Sequence, residues 1–109
     1  MQGLEKISFQ IISAVGSARS SYMEAIECAH KNEFDQARKL IEEGEELRGR
    51  GHNAHFELIQ NEAAGNPTDF SLILMHAEDQ LMASETIKII AEETIRSCER
   101  IALLEKIIG

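Results

Sequence analysis

His76 is the residue whose type and surroundings could best support chemistry in this sequence. It lies in the segment Ser71-Leu-Ile-Leu-Met-His-Ala-Glu-Asp-Gln-Leu-Met-Ala-Ser84, among apolar side chains that we expect to exclude water. A neutral imidazole nitrogen is a good nucleophile at about pH 7. A histidine on an apolar helix face is otherwise a hydrogen-bonded core residue. The residues beside it must therefore decide between a reactive and a structural role.

Two polar residues are predicted to accompany His76. Asp79 and Gln80 follow it by three and four residues, which places them beside it on a helix surface. Glu78, two residues on, points to the far side. A carboxylate on the interior stripe of a bundle is costly unless it is paired, protonated or metal-bound. We therefore predict that His76, Asp79 and Gln80 form one polar cluster with a role beyond packing.

The other histidines make weaker candidates. Glu27 and His30 have the Glu-x-x-His spacing of carboxylate-bridged metal bundles, but the sequence contains no second copy of that motif. His52 and His55 could bind a metal from one helix face, but no further ligand is placed in sequence to complete a tetrahedral site. We interpret the first pair as a solvated helix end and the second as surface or groove residues.

Composition indicates one helical domain and excludes several functions. The chain has 109 residues, 43% of them hydrophobic, with no Trp and one Pro, so its core must consist mainly of aliphatic side chains. A net charge of -8 argues against nucleic acid and anionic membranes as partners. Neither a signal peptide nor an apolar run long enough to span a bilayer is visible. Cys28 and Cys98 are therefore expected to be reduced core residues of a cytoplasmic protein.

Apolar periodicity predicts three long helices within a single domain, residues 1–109. The helices cover about residues 4–30, 34–64 and 69–107. Ala64-Gly-Asn-Pro-Thr68 ends the second helix, and Thr68 or Asp69 caps the third. The stripe predicted to face the interior from the third helix is Leu72, His76, Asp79, Ala83, Thr86, Ile90, Thr94, Cys98, Ile101, Leu104 and Ile108. Helices of these lengths with short connections predict an all-α antiparallel three-helix bundle.

Glycines mark the expected close approaches between helices. Gly44 and Gly51 lie on a stripe of the second helix with coiled-coil spacing, so we predict a continuous helix that could kink between Gly49 and Gly51. Gly16 and the small residues after it predict tight packing of the first helix. Apolar residues of the third helix extend beyond one stripe, which predicts self-association.

The segment Leu72–Ser84 resembles the phosphorylation-site segment of the lactose/cellobiose-specific IIA component of the bacterial sugar phosphotransferase system. The likeness extends over nearly the whole chain. It includes Gly16-x-Ala-Arg-Ser20, Met23-Glu-Ala-Ile26, Phe34-x-x-Ala37, and Glu57-Leu-Ile-Gln60 with Glu62 and Gly65.

This resemblance implies a three-helix protomer assembled as a homotrimer, a nine-helix bundle. It implies a phosphocarrier in which His76 accepts a phosphoryl group from phospho-HPr through Nε2 and passes it to a cysteine of the IIB component, upstream of the IIC permease. Asp79 would meet its two symmetry mates on the trimer axis and bind one divalent metal per trimer, commonly Mg²⁺. Gln80, one turn on from His76, could donate a hydrogen bond to the phosphate.

Two segments depart from the usual pattern of the family. Glu78-Asp79-Gln80 replaces the more common Gln-Asp-His, and His55-Phe56 replaces Gln-Thr. The sequence leaves the sugar open, since cellobiose, another β-glucoside or chitobiose is as compatible as lactose. Two other interpretations also stay open: a non-catalytic helical adaptor or oligomerisation module, and a metal-binding bundle with ligands beyond Asp79.

Overall fold

The computed structural model describes residues 3–109, so the first two residues of the predicted domain lie outside the described part. Three helices follow one another: α1 (Gly3–His30), α2 (Phe34–Ala63) and α3 (Leu72–Ile108). They form an elongated body of 62 × 24 × 19 Å. The predicted all-α bundle of three long helices is confirmed, and residues 3–109 contain no strand.

Both connections contain a residue in the left-handed region. After α1, Asn32 has φ 62°, and Glu33 N–H donates to Cys28 O at 2.9 Å. After α2, Gly65 has φ 91°, and Asn66 N–H donates to Asn61 O at 2.8 Å. These bonds satisfy carbonyl groups that the ends of the helices leave unpaired. The predicted stop after the second helix is therefore made by Gly65.

The third helix begins at Leu72, three residues later than predicted. Ser71 is its N-cap, in an extended conformation, and its hydroxyl accepts a hydrogen bond from Leu74 N–H at 3.3 Å. The prediction that Thr68 or Asp69 caps this helix is wrong. The connection after Pro67 runs on through Phe70 before a hydroxyl reaches the first free N–H groups.

The core consists of three clusters stacked along the bundle. Four of the seven buried residues of α1 are Ser or Ala. This helix packs against α2 and α3 more extensively than these pack against each other. The buried residues of the clusters are Ala25, Ala29, Ala37, Leu40 and Ile95 at one end, Ala18, Tyr22 and Ala91 in the middle, and Ile11, Val15, Ala77 and Leu81 at the other end. Cys28 and Cys98 are free thiols, half-buried against the first cluster.

The predicted close packing is confirmed at two of the three glycines, Gly44 and Gly51. α2 is continuous, and both Gly44 and Gly51 are buried in it. A Cβ at position 51 would come within 3.2 Å of Val15 Cγ1. Gly16, in contrast, is exposed, and a Cβ there would meet nothing within 4 Å. The prediction of tight packing at Gly16 is therefore wrong within the protomer.

Polar links connect α2 to α3, where apolar packing is least extensive. Two ion pairs and one histidine–carboxylate hydrogen bond bridge the two helices at different heights: Arg38–Glu99 at 2.5 Å, Lys88–Glu45 at 2.7 Å and His55–Glu78 at 2.6 Å. The third of these lies near the start of α3, in the segment that carries His76.

Candidate functional site

The His76 segment is held against α1 by its apolar side. Leu74, Ala77 and Leu81 are buried, and the last two pack against Ile11 and Val15 of α1. These residues recur at helical spacing and face the core. They fix the first turns of α3, and with them the backbone that carries His76.

His76 itself lies on the outward side of α3 and is exposed. The predicted interior stripe through His76, Asp79, Ile90 and Ile101 is therefore wrong for the protomer, since all four are exposed. The residues that α3 buries are Leu74, Ala77, Leu81, Ser84, Ala91 and Ile95. The third helix has apolar residues on two sides. The stripe predicted from the sequence is the side that faces outward in the protomer.

Asp79 shares this outward side with large apolar residues. It is exposed, and its neighbours one turn away, Met75 and Met82, are 49% and 68% exposed. A single carboxylate on an otherwise apolar surface would be buried unpaired if another protein covered that surface. Carboxylate oxygen is the donor that Mg²⁺ and Ca²⁺ prefer. The donor type at this position thus fits a hard divalent cation.

Gln80 is half-buried and lies one turn after His76. Among residues 3–109, no hydrogen bond joins His76, Asp79 and Gln80, so the three share a region of the helix without forming a bonded cluster. The Gln80 amide is within one helical turn of the imidazole, a spacing at which a side chain can reach a group attached to the ring.

Glu78 points away from His76, as the helical period predicts. Its Oε2 lies 2.6 Å from His55 Nε2 on α2, so the ring can donate a hydrogen bond to the carboxylate. The His55 side chain is only 19% exposed, against 42% for Glu78. One residue from each of the two segments that depart from the pattern of the resembled family, His55 and Glu78, is therefore in direct contact with the other.

A cleft lies next to this pair, between the end of α2 and the start of α3. It has a volume of about 300 Å³. Apolar side chains such as Leu58, Ile59 and Met75 line it, and the carboxylates of Glu62 and Asp69 lie at its edge. Exposed Phe70 extends its apolar lining. This end of the bundle offers apolar surface with negative charge around it, close to the segment of His76.

The remaining histidines are in the surroundings expected of them. His30 and Glu27 are both exposed at the end of α1. The His52 ring stacks on Phe56, with ring centroids 6.2 Å apart. Within the described part of the chain, no three His, Cys, Asp or Glu side chains converge on a point where they could hold a metal.

A polar cluster in the middle of the bundle has no counterpart in the sequence predictions. Glu45 binds Arg48 at 2.6 Å and Lys88 at 2.7 Å, beside the buried ring of Tyr22. Burial alone would raise the pKa of Glu45, but the hydrogen bonds and charges of Lys88 and Arg48 outweigh it and hold that pKa below its usual value. Burial raises the pKa of Tyr22, and the charge of Glu45 raises it further.

The ion pair of Glu45 with Lys88 joins α2 to α3, and the cluster packs beside the buried Tyr22 ring of α1. The signal that could have revealed it is the Glu45-x-x-Arg48 spacing directly after Gly44, opposite the sole tyrosine of the chain. Because it lies in the middle of the bundle, away from the His76 segment, we interpret this cluster as structural.

Comparison with known proteins places this helical bundle among the phosphotransferase IIA subunits. The family model described as the PTS system lactose/cellobiose-specific IIA subunit matches residues 6–99. The chain belongs to this family.

Characterised relatives agree with that assignment. The chain is similar to the lichenan-specific phosphotransferase enzyme IIA component of Bacillus subtilis, with 43% identity over 90% of this chain and 89% of the relative. It is also similar to the lactose-specific EIIA component of Staphylococcus epidermidis, with 34% identity over 78% of this chain and 82% of the relative. Among solved structures, the cellobiose-specific enzyme IIA from Bacillus anthracis has a TM-score of 0.91 at 36% identity, over 94% of both chains.

No helix within residues 3–109 combines the length and apolarity that crossing a bilayer requires.

Proposed function

We propose that this protein is a cytoplasmic phosphocarrier in which His76 accepts a phosphoryl group from phospho-HPr and passes it to a cysteine of a IIB component, for uptake of a β-linked sugar through a IIC permease. The observation that carries the proposal is the exposed position of His76 on α3 in a chain of the lactose/cellobiose IIA family. A carrier must present its acceptor to two partners in turn, and an outward imidazole on a rigid helix does so.

The transfer exchanges one bond for another at each step. His76 Nε2 attacks the donor's phosphorus, a new P–N bond forms, and the electron pair of the donor's P–N bond returns to the donor ring. A cysteine thiolate of IIB then attacks the same phosphorus, a P–S bond forms, and the His76 ring recovers its electron pair. Such transfers depend on in-line positioning and on stabilisation of charge. Gln80 is the side chain on α3 that would donate a hydrogen bond to the phosphate.

The proposal includes a homotrimer. A band of exposed apolar side chains along α3 supports it, because exposed apolar surface of this extent marks interaction surfaces. The residues of the band on α3 are Leu72, Met75, Met82, Ile89, Ile90, Ile101, Leu103, Leu104, Ile107 and Ile108. Closed symmetry with three copies places Asp79 of each copy near one axis. Three carboxylates there would bind one divalent cation, which we propose to be Mg²⁺ and which would offset their mutual repulsion.

Phosphorylation of the purified protein tests the carrier function. Incubation with phosphoenolpyruvate, Enzyme I and HPr should increase the intact mass by one phosphoryl group, and acid should remove it. His76→Ala should abolish the increase, while His30→Ala, His52→Ala and His55→Ala should still reach full labelling at the end point. Absence of labelling in the parent would favour the adaptor interpretation, and labelling of the His76→Ala variant would exclude His76 as the acceptor.

A further inference from the structure

The hydrogen bond between His55 and Glu78 lies in the segment that carries the proposed acceptor. It joins Nε2 of the ring on α2 to Oε2 on α3 over 2.6 Å. The ring is mostly buried in the wall of the cleft, whereas the carboxylate remains 42% exposed. A mostly buried donor on a neighbouring helix gives the long Glu78 side chain one preferred direction.

The direction of the Glu78 side chain matters because other negative charges lie near this segment. Glu78 is two residues from His76, about 200° around the helix at 3.6 residues per turn. Glu62 and Asp69 line the same cleft, so the α2 side of this segment already contains a concentration of negative charge. A phosphoryl group on His76 would bring about two more negative charges. Charges separated by about a Debye length, roughly 10 Å, still interact across a protein surface.

We propose that His55 is a positioning residue for phosphoryl transfer at His76. Its Nε2–H donates to Glu78 and keeps that carboxylate against α2, away from the outward side of α3. Without the ring, the Glu78 side chain is free to extend along the surface, and its unpaired charge opposes the negative charge at the phosphoryl group during transfer. This inference rests on the proposed function of His76 and assigns no chemical step to His55.

Initial rates of transfer from phospho-HPr, measured over a range of carrier concentrations, test this role. His55→Ala should lower kcat about three- to tenfold with KM changed less than about twofold, since the electrostatic effect acts on transfer. The kcat of Glu78→Gln should stay close to that of the parent, because the amide carries no charge that His55 would have to keep away from His76. The double variant His55→Ala, Glu78→Gln should recover the parent rate. His55→Gln retains an N–H donor and should recover most of it.

His52→Ala is the matched control, because His52 lies one turn earlier on α2 and stacks on Phe56 without a hydrogen bond to α3. Circular dichroism should show the same helix content in every variant. A purely structural link between α2 and α3 predicts a different result: the double variant, which has lost the ring that makes the link, would be as slow as His55→Ala. That pattern would overturn the inference, as would a His55→Ala variant with the parent rate. Failure of the parent to become phosphorylated would instead contradict the proposed function.

Discussion

Gly44 of α2 lies directly against the ring of Tyr22 on α1: a Cβ at position 44 would come within 2.8 Å of Cδ1 of that ring. The ring is fully buried and lies beside the Glu45 ion pairs, so it has little room to move. The absence of a side chain at position 44 thus allows α1 and α2 to approach at the middle of the bundle.

Gly44→Ala should therefore destabilise the protein despite the better helix propensity of alanine. Overpacking a rigid contact costs about 1–3 kcal/mol in the free energy of unfolding. Gly49→Ala on the same helix is the control, since a Cβ there meets nothing within 4 Å. That variant should gain about 0.5–1 kcal/mol. Urea unfolding of both variants checks the prediction, and equal stabilities for the two would contradict it.

Ser71→Ala should destabilise the start of α3. The hydroxyl of Ser71 accepts from Leu74 N–H at 3.3 Å, and loss of an N-cap of this kind costs about 1 kcal/mol. Thr68→Ala and Asp69→Ala should change the unfolding free energy by less than about 0.5 kcal/mol, because neither residue caps the helix. Thermal unfolding measures all three. A larger loss at Thr68 or Asp69 than at Ser71 would show that the helix starts earlier.

The sequence predicts features that depend on local spacing and misses those that depend on which helix lies where. The close-packed Gly44 and Gly51 and the stop at Gly65 follow from helical period and backbone conformation. The side of α3 that faces the core cannot be predicted in this way. This helix has apolar residues on two sides, and the helices packed against it decide which side is buried. The outward position of His76 was missed for this reason.

Contacts between polar residues that are far apart in sequence also cannot be predicted from a single sequence. His55 and Glu78 are 23 residues apart, and Glu45 and Lys88 are farther apart still. Taken alone, each of these residues is of a type that is common at solvated positions of a helix. Their pairing depends on the register between α2 and α3, which the apolar periodicity leaves undetermined.

The ion pairs of Glu45 predict a loss of stability in acid. Its pKa is lowered in the folded protein from the usual 4.5. A group with a lowered folded pKa contributes stability above its unfolded pKa and loses it as the pH falls through the folded value. The free energy of unfolding should therefore fall as the pH decreases below 4.5. Glu45→Gln should reduce this dependence, whereas Glu46→Gln, which removes an exposed carboxylate, should keep it. Identical pH profiles for the parent and Glu45→Gln would contradict the assignment.

Trimer formation through the apolar band of α3 predicts a molar mass of about 37 kDa by light scattering, three times that of the 12.2 kDa chain. Ile89 is 53% exposed in the protomer and would be covered in the trimer. Ile89→Lys should therefore dissociate it at micromolar concentration, because a buried unpaired cation is costly. Gln36→Lys on the outer side of α2 adds the same charge and should leave the mass unchanged. A monomeric parent would contradict the proposed assembly.

Asp79 gives the sharpest test of the trimer axis. The carboxylate is exposed in one protomer between Met75 and Met82, so trimer formation would bury three such groups close together. Like charges at short distance cannot all remain ionised without a counter-charge, which a divalent cation with oxygen ligands supplies. Removing the cation should therefore loosen the trimer.

Asp79→Leu removes the repulsion and the need for a cation together. Replacing a buried ionic cluster by apolar groups is often neutral or stabilising, by about 1–4 kcal/mol. We expect this variant to trimerise, to melt at a higher temperature than the parent in chelator, and to show no change of melting temperature with Mg²⁺. Glu85→Leu, an exposed carboxylate further along α3, is the control and should retain the Mg²⁺ response of the parent. If Asp79→Leu melts at a lower temperature, or if its melting temperature still rises with Mg²⁺, then Asp79 does not bind the cation on the axis.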